Sequence, residues 1–196
     1  MDYRSAVQWG STFRFVNDEP FKALDGSIVN PDVVIISFVP TRGQQCVSYT
    51  YTNGATPPDP DFMISPLTYN IAAVTPSYPA VGSATVLVTS PEVLFRVGYS
   101  VTITGLSPSG YNGTFEITGL VNVGGVQGFS IQNATTTAPT LTDATVTVNG
   151  VFYEDVDTTE YSNGTWTYWI AGEPGTSGLD VTKTKVRSEI QTLLVQ

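Results

Sequence analysis

Residues 100–118 read SVTITGLSPSGYNGTFEIT and contain the pattern that recurs along this 196-residue chain. Two short runs rich in β-branched residues, Ser100–Thr104 and Gly113–Thr118, form the two ends of this stretch, and the dipeptide Asn112-Gly113 begins the second run. β-Branched side chains fit the pleated surface of a strand better than a helix. Asn and Gly both tolerate the positive φ that a two-residue type I′ hairpin requires. The stretch therefore predicts antiparallel strands joined by tight turns.

The same combination of runs and turns extends over the whole chain. Asn-Gly also occurs at positions 53, 149 and 163, and the other β-like runs are 12–16, 33–39, 45–52, 83–89, 128–132, 144–148 and 164–170. The spacing predicts an all-β protein built as a sandwich or barrel. The last segment, Ser188–Gln196, fits either one helical face or a final strand, and we interpret it as a strand.

The composition limits the classes of function. The chain has 8 basic and 17 acidic residues, a net charge of −9, which argues against binding nucleic acid. Its longest apolar run, Val33–Val39, is too short to span a membrane. It has no histidine and a single cysteine, Cys46, so the usual general base, the imidazole zinc ligand and an internal disulfide are missing. We therefore expect a protein that is not an enzyme and has no catalytic, cofactor or metal site.

The distribution of charge predicts two domains. Of the net charge of −9, residues 69–148 carry only −2, from Arg96, Glu92, Glu116 and Asp143. This region also contains an internal repeat, Ile103-Thr-Gly-Leu106 and Ile117-Thr-Gly-Leu120. We predict that residues 1–68 and 149–196 form a host β-sandwich, which anchors the protein in an assembly. Residues 69–148 are predicted to form a small barrel or sandwich of about five strands inserted into it, because insertions are tolerated at loop tips.

Four acidic residues lie close together in the second segment of the predicted host, residues 149–196: Glu154, Asp155, Asp157 and Glu160. One interpretation is a calcium site, since Ca²⁺ prefers several oxygen ligands from a short segment. The other is a solvated acidic strand edge that discourages edge-to-edge pairing. We favour the solvated edge because the EF-hand spacing is absent. A glycosidase pair needs two carboxylates in a cleft, and nothing in the spacing singles out two of these residues.

Aromatic residues also lie close together in this part of the chain: Tyr153, Tyr161, Trp166, Tyr168 and Trp169. They could form a platform for stacking sugars, or they could be divided between the core and an interface with another subunit. We favour core and interface. Tyr161, Trp169 and Tyr111 are the candidate interface or glycan contacts.

Two sets of motifs resemble proteins of tailed bacteriophages. In the predicted host they are Asp25-Gly26, Pro31-Asp32-Val33, Gly150–Tyr153 and Gly164–Trp169, and they resemble small immunoglobulin-like virion proteins. In the predicted insert they are Val97–Gly105 and Tyr111–Phe115, and they resemble a β module that recurs in phage structural proteins. One departure is Tyr99, which occupies a position where the module often has an acid.

The resemblance implies a virion protein that is assembled in the cytoplasm of the host bacterium. It implies a location at the head–tail neck or in the tail, with other copies of the chain and phage neck, tail or capsid proteins as partners, and no nucleic acid or membrane. Alternatives are a capsid decoration protein and a carbohydrate-binding or adhesin module for the host surface. An enzyme is the third class.

Overall fold

The computed structural model describes residues 5–7, 12–17, 19–22, 25–40, 47–53, 64–76, 82–90, 93–157, 164–173, 186–187 and 191–195. In these ranges the protein is all-β, as predicted, and its only helical element is a single 3-10 turn at Ser109–Tyr111. The strands are β1 (Ser5–Val7), β2 (Thr12–Val16), β3 (Val33–Pro40), β4 (Val47–Thr52), β5 (Ser65–Pro76), β6 (Ser83–Val88), β7 (Ser100–Ser107), β8 (Gly113–Val123), β9 (Val126–Gln132), β10 (Thr140–Asp157), β11 (Gly164–Glu173), β12 (Val186–Arg187) and β13 (Gln191–Val195).

The chain divides into two compact units. Unit 1 consists of Met1–Ser65 with Gly150–Gln196, and unit 2 consists of Pro66–Asn149. The sequence-based boundaries lay after residue 68 and before residue 149. Strand β10 passes from unit 2 into unit 1 at Asn149-Gly150.

Unit 1 contains a sheet in the order β1-β13-β11-β3-β4, with β12 paired to β11. Its neighbours are antiparallel apart from β1 and β13, which are parallel. The end of β10 pairs with β2 in a separate ladder. The Phe15 ring of β2 packs edge-on against Phe38 of β3, with ring centroids 6.2 Å apart. Phe152 of β10 lies 5.3 Å from Tyr51 of β4. The core of unit 1 therefore lies between the β2–β10 pair and the β3–β4 face of the sheet.

Unit 2 is a closed six-stranded barrel. Its strands follow the order β10-β5-β6-β9-β8-β7, and β7 pairs again with β10, so that the first and last strands meet. Alternate residues point inward, as a barrel with a filled interior requires. The buried side chains include Leu67, Ile71, Val86, Val88, Val101, Ile103, Ile117, Phe129, Ile131, Val146 and Val148. Phe95 enters this core between Tyr69 and Phe129, at ring distances of 5.2 and 4.7 Å.

Two of the four predicted Asn-Gly hairpins are wrong, and the other two include residues outside the described ranges. Asn112 has an extended backbone, and its side-chain amide bonds both the N–H and the C=O of Leu106, at 2.9 and 2.7 Å. Asn149-Gly150 lies inside β10, where Asn149 is buried and bonded to Thr102 and Ser100. In both cases the asparagine side chain serves a tertiary contact. The tight turn between β8 and β9 is formed by Gly124-Gly125, where both φ angles are positive.

Gly150 marks a close approach within unit 1. Its φ is +72°, and an added Cβ would lie 2.9 Å from both the Phe21 nitrogen and the Val29 oxygen. Its N–H donates to Asn30 Oδ1 at 2.6 Å, and its carbonyl accepts from Phe21 and Asn17 at 3.0 Å each. Only glycine fits this position without strain.

Candidate interaction surfaces

The outer face of the β2–β10 pair in unit 1 carries an ion pair. Arg14 and Asp155 are directly opposite each other, and the guanidinium donates from Nε and Nη2 to the two carboxylate oxygens at 2.7 Å each. The guanidinium carbon also lies 4.4 Å from the centre of the Tyr153 ring. Both charged side chains are about half exposed. Within this pair the two charges balance each other.

Glu154 points the other way, into the interior of unit 1. It lies opposite Phe15 in the ladder and therefore shares the inward face with that buried ring. Its side chain is only 1 % exposed, and Oε2 has no hydrogen-bond partner among the described residues. Burial, with a further contribution from the negative charge of Asp155, raises the pKa of Glu154 from 4.5 to about 7. The carboxyl group is thus held in an environment that disfavours its charged form.

These positions test the two interpretations of the acidic cluster. Glu154 is buried, so the solvated-edge interpretation is wrong for this residue. Asp155 is exposed but paired with Arg14. The Asp157 side chain and the whole of Glu160 lie outside the described residues. Within the described ranges no three His, Cys, Asp or Glu side chains are grouped closely enough to hold a metal ion.

Tyr111, one of the three candidate contact residues, is a core residue of unit 2. Its side chain has no exposed surface, and its hydroxyl donates to the carbonyl oxygens of Thr135 and Thr137, at 2.8 and 2.9 Å. Burial raises its pKa above the usual 10. The prediction that Tyr111 contacts a partner or a glycan is therefore corrected, because the ring and the hydroxyl are both used inside the barrel.

Of the other two candidates, the structure describes only the backbone of Trp169. Trp169 lies in β11, in register with Ser37 of β3, and its side chain is outside the described set. Tyr161 lies outside the described residues altogether. Of the three predicted contact residues, the structure therefore describes the side chain of Tyr111 alone.

Unit 2 has a surface feature that the sequence interpretation missed. Among the described side chains, the large apolar residues that are substantially exposed all belong to this unit: Leu94, Val97, Leu120, Val123, Val126 and Leu141. Three of them are at the end of the β8–β9 hairpin. The detectable signal was the uncharged sequence LVNVGGV at residues 120–126, in which Gly-Gly separates two valines. The sequence interpretation gave its attention to Asn-Gly turns instead.

Comparisons with known proteins do not assign this chain to a family. Its described part contains no helix that is long and apolar enough to cross a membrane. No protein-family model, no curated protein and no solved structure matches the chain.

Proposed function

We propose that this protein is a non-enzymatic structural component of a tailed-bacteriophage virion, located at the head–tail neck or in the tail. In this proposal unit 1 is an immunoglobulin-like sandwich that anchors the subunit in a symmetric oligomer, and unit 2 is an inserted β module. The observation that carries the proposal is that the phage-like motif residues of unit 2 coincide with residues that hold its barrel together.

The first motif, Val97–Gly105, supplies part of the barrel wall. Val101 and Ile103 have no exposed surface and point into the core. Gly105 has a φ of +79°, and an added Cβ would lie 2.7 Å from the Ala144 Cα, so no larger residue fits. The motif therefore specifies the packing of β7 against β10.

The second motif, Tyr111–Phe115, supplies the connection between β7 and β8. Tyr111 is anchored to the carbonyls of residues 135 and 137, and Asn112 is bonded to the backbone of Leu106. A module that recurs because it folds reliably is expected to retain such structural residues, whatever surface it presents. This agreement supports the module interpretation of unit 2.

The chain order supports the host-and-insert interpretation. Unit 1 is formed from two separate segments, and the 66–149 segment that interrupts it closes into its own barrel. Domain insertion at a loop whose ends are close costs little, so the same host can carry different modules. The glycan-binding alternative is weakened because Tyr111 is unavailable, whereas capsid decoration remains the nearest alternative location.

Deletion of the gene from the phage that encodes it tests the proposal. We expect no infectious particles, and electron micrographs of lysates should show separate heads and tails or truncated tails. A plasmid copy of the chain should restore the titre. Intact particles that break on osmotic shock would favour decoration of the capsid. Intact particles that fail to adsorb to cells would favour the adhesin alternative, and a normal titre with normal adsorption would contradict a virion role.

A further inference from the structure

Among the described residues, the end of β8 has a strand neighbour on one side only. β7 pairs with β8 from Gly113 to Glu116. At the next residue, the Gly98 N–H donates to the Ile117 carbonyl, and the Ile117 N–H donates to the Tyr99 carbonyl. Beyond that point, within the described part of the chain, residues 118–123 pair with β9 alone. We call residues 118–123 the β8 tip.

The turn determines which backbone groups of the β8 tip point outward. Gly124-Gly125 is a two-residue turn, so the flanking Val123 and Val126 form a hydrogen-bonded pair. Hydrogen-bonded and non-hydrogen-bonded pairs alternate along an antiparallel ladder. The N–H and C=O groups of Asn122 and Leu120 therefore point away from β9, towards the open edge, while those of Val121 and Val123 bond β9.

The β8 tip lacks most of the features that usually protect an open edge. Natural edge strands are commonly blocked by proline or by charged residues, above all lysine. None of these occurs in the β8 tip or in the turn that follows it, and the first proline after Ile117 is Pro139, although a register shift lies at the start of the tip, between Ile117 and Gly119. Instead, Leu120 and Val123 are 55 % and 56 % exposed. The edge combines outward backbone groups with apolar side chains.

The charge of the protein limits where a second copy can approach. Two copies that each carry a net charge of −9 repel each other, and the repulsion is strongest where carboxylates face each other. The uncharged stretch from Ile117 to Thr142 is a place where a second copy can approach without bringing like charges together. We infer that the β8 tip is a self-association surface at which two copies of the chain pair β8 against β8, antiparallel, across a two-fold axis.

The outward groups define the register of this pairing. Leu120 of each copy forms a hydrogen-bonded pair with Asn122 of the other, and the two-fold axis passes between the two Val121 residues. Each such pair exchanges about two backbone hydrogen bonds, and the same patch is used on both copies, as an isologous contact requires. The Val121 side chains then face each other directly and share a face with Val123.

The contact is small, so we expect weak and reversible association. A few paired residues bury less than the roughly 1,200–2,000 Å² of a stable complex. In an assembly that already holds the copies close together, the same contact becomes effectively intramolecular and is strongly favoured. The inference does not depend on the proposed virion role, because it is tested on the purified chain and the virion role is tested on particles.

The test is sedimentation velocity of the full chain from about 10 μM to about 1 mM, the range suited to a small interface. We expect a monomer–dimer equilibrium. Val121→Lys places two ammonium groups face to face on the axis and should weaken dimerisation by about tenfold or more, and Val121→Glu should do the same. An equimolar mixture of the two variants should associate again, because the unlike charges then face each other.

Leu141→Lys is the matched control, since Leu141 is another exposed apolar residue of unit 2 outside the β8 tip. It should leave the dimer unchanged. In the unaltered chain, amide exchange of Leu120 and Asn122 should slow as the concentration rises, while that of Val121 and Val123 should be slow throughout. This readout does not depend on the variants folding. A wild-type chain that is monomeric throughout, equal weakening by Leu141→Lys and Val121→Lys, or exchange at Leu120 and Asn122 that is independent of concentration would overturn the inference.

Discussion

The two units differ in how they depart from the usual rule that charged side chains are exposed and large apolar side chains are buried. In unit 1 a carboxyl group, Glu154, is buried with one oxygen unpartnered. In unit 2 the buried polar side chain among the described residues is Asn149, whose amide oxygen and nitrogen are both hydrogen-bonded. Among the described side chains, exposed large apolar residues occur only in unit 2. The difference indicates that the stability of unit 1 depends on pH, whereas unit 2 has a regular core and an apolar surface available for contacts.

The internal repeat of unit 2 sharpens this comparison. Ile103-Thr-Gly-Leu106 and Ile117-Thr-Gly-Leu120 are identical in type, and both isoleucines are fully buried. Leu106 is buried as well, opposite Leu141 in the β7–β10 ladder, but Leu120 is exposed on the β8 tip, where β9 is the one neighbouring strand among the described residues. The same tetrapeptide therefore has two outcomes, which are decided by the neighbouring strands.

The largest effect is expected from Gly128→Ala in unit 2. An added Cβ would overlap the carbonyl oxygen of Val86, because β6 and β9 are in close contact at this point. We expect a loss of roughly 3 kcal/mol or more in the free energy of unfolding of the barrel. Hydrogen exchange of the barrel amides measures it.

Gly124→Ala is the matched control, since its Cβ would meet no atom within 4 Å although its φ is +60°. It should cost only about 1–2 kcal/mol. The three tryptophans, Trp9, Trp166 and Trp169, all belong to unit 1, so their fluorescence reports that unit separately. Equal losses from the two alanine variants would show that the close contact at Gly128 adds nothing to the stability cost of an added Cβ.

The next largest effect is expected from Glu154→Gln in unit 1. The folded protein retains this proton up to a pH of about 7, whereas the unfolded chain loses it near 4.5. Stability should therefore fall as the pH rises from about 4.5 to about 7 and remain low above that range. At pH 8 the variant should be more stable than the wild type by up to about 3 kcal/mol, and the gain should vanish below pH 4.

Urea unfolding followed by tryptophan fluorescence at a series of pH values measures this gain. Glu116→Gln removes an exposed carboxylate of unit 2 and should leave the unit 1 transition unchanged. A gain for Glu154→Gln that is the same at pH 4 and pH 8 would contradict the assignment of a buried, proton-retaining carboxyl group.

A smaller effect is expected from Tyr111→Phe, which removes the hydroxyl and leaves the Thr135 and Thr137 carbonyls without this donor. The barrel should lose about 1–2 kcal/mol of stability. Thermal unfolding followed by near-ultraviolet circular dichroism measures the change. Tyr153→Phe, on the outer face of unit 1, is the control and should have little effect; an equally small effect of Tyr111→Phe would show that the two bonds are not important.

The smallest effect is expected from Arg14→Ala. The ion pair with Asp155 is half exposed and is screened by water and salt. Unit 1 should lose no more than about 1 kcal/mol, and the loss should decrease in high salt. Urea midpoints at low and high salt measure it. A larger loss that does not depend on salt would show that the arginine stabilises unit 1 mainly by packing on Tyr153.

Strand positions were largely predictable because the chain signals them locally. Each of the nine predicted β-like runs overlaps a strand, and the final segment contains strand β13, as interpreted. β5 was missed because Ser65–Pro76 begins and ends with proline-containing dipeptides and mixes polar with apolar residues. One partner, β6, follows it directly in the chain, but the other, β10, is distant in sequence, so that pairing depends on tertiary contacts that no local pattern reveals.

The candidate surfaces were less predictable for the same reason. The four acidic residues look alike in the sequence, and only the register of β10 against β2 turns Glu154 inward and Asp155 outward. Tyr111 looked like a contact residue because it is a large polar aromatic next to a turn. Its hydroxyl finds buried partners about 25 residues further along the chain, a pairing that depends on closure of the barrel.

The most direct test of the virion role is quantitative mass spectrometry of purified phage particles, with this polypeptide counted against the major capsid protein. We predict its stable presence at about 5, 6 or 12 copies per particle, as expected for a symmetric ring at the neck or in the tail. Copies in the hundreds would favour the capsid-decoration alternative over the neck. Absence of the polypeptide from infectious particles would contradict the proposed structural function.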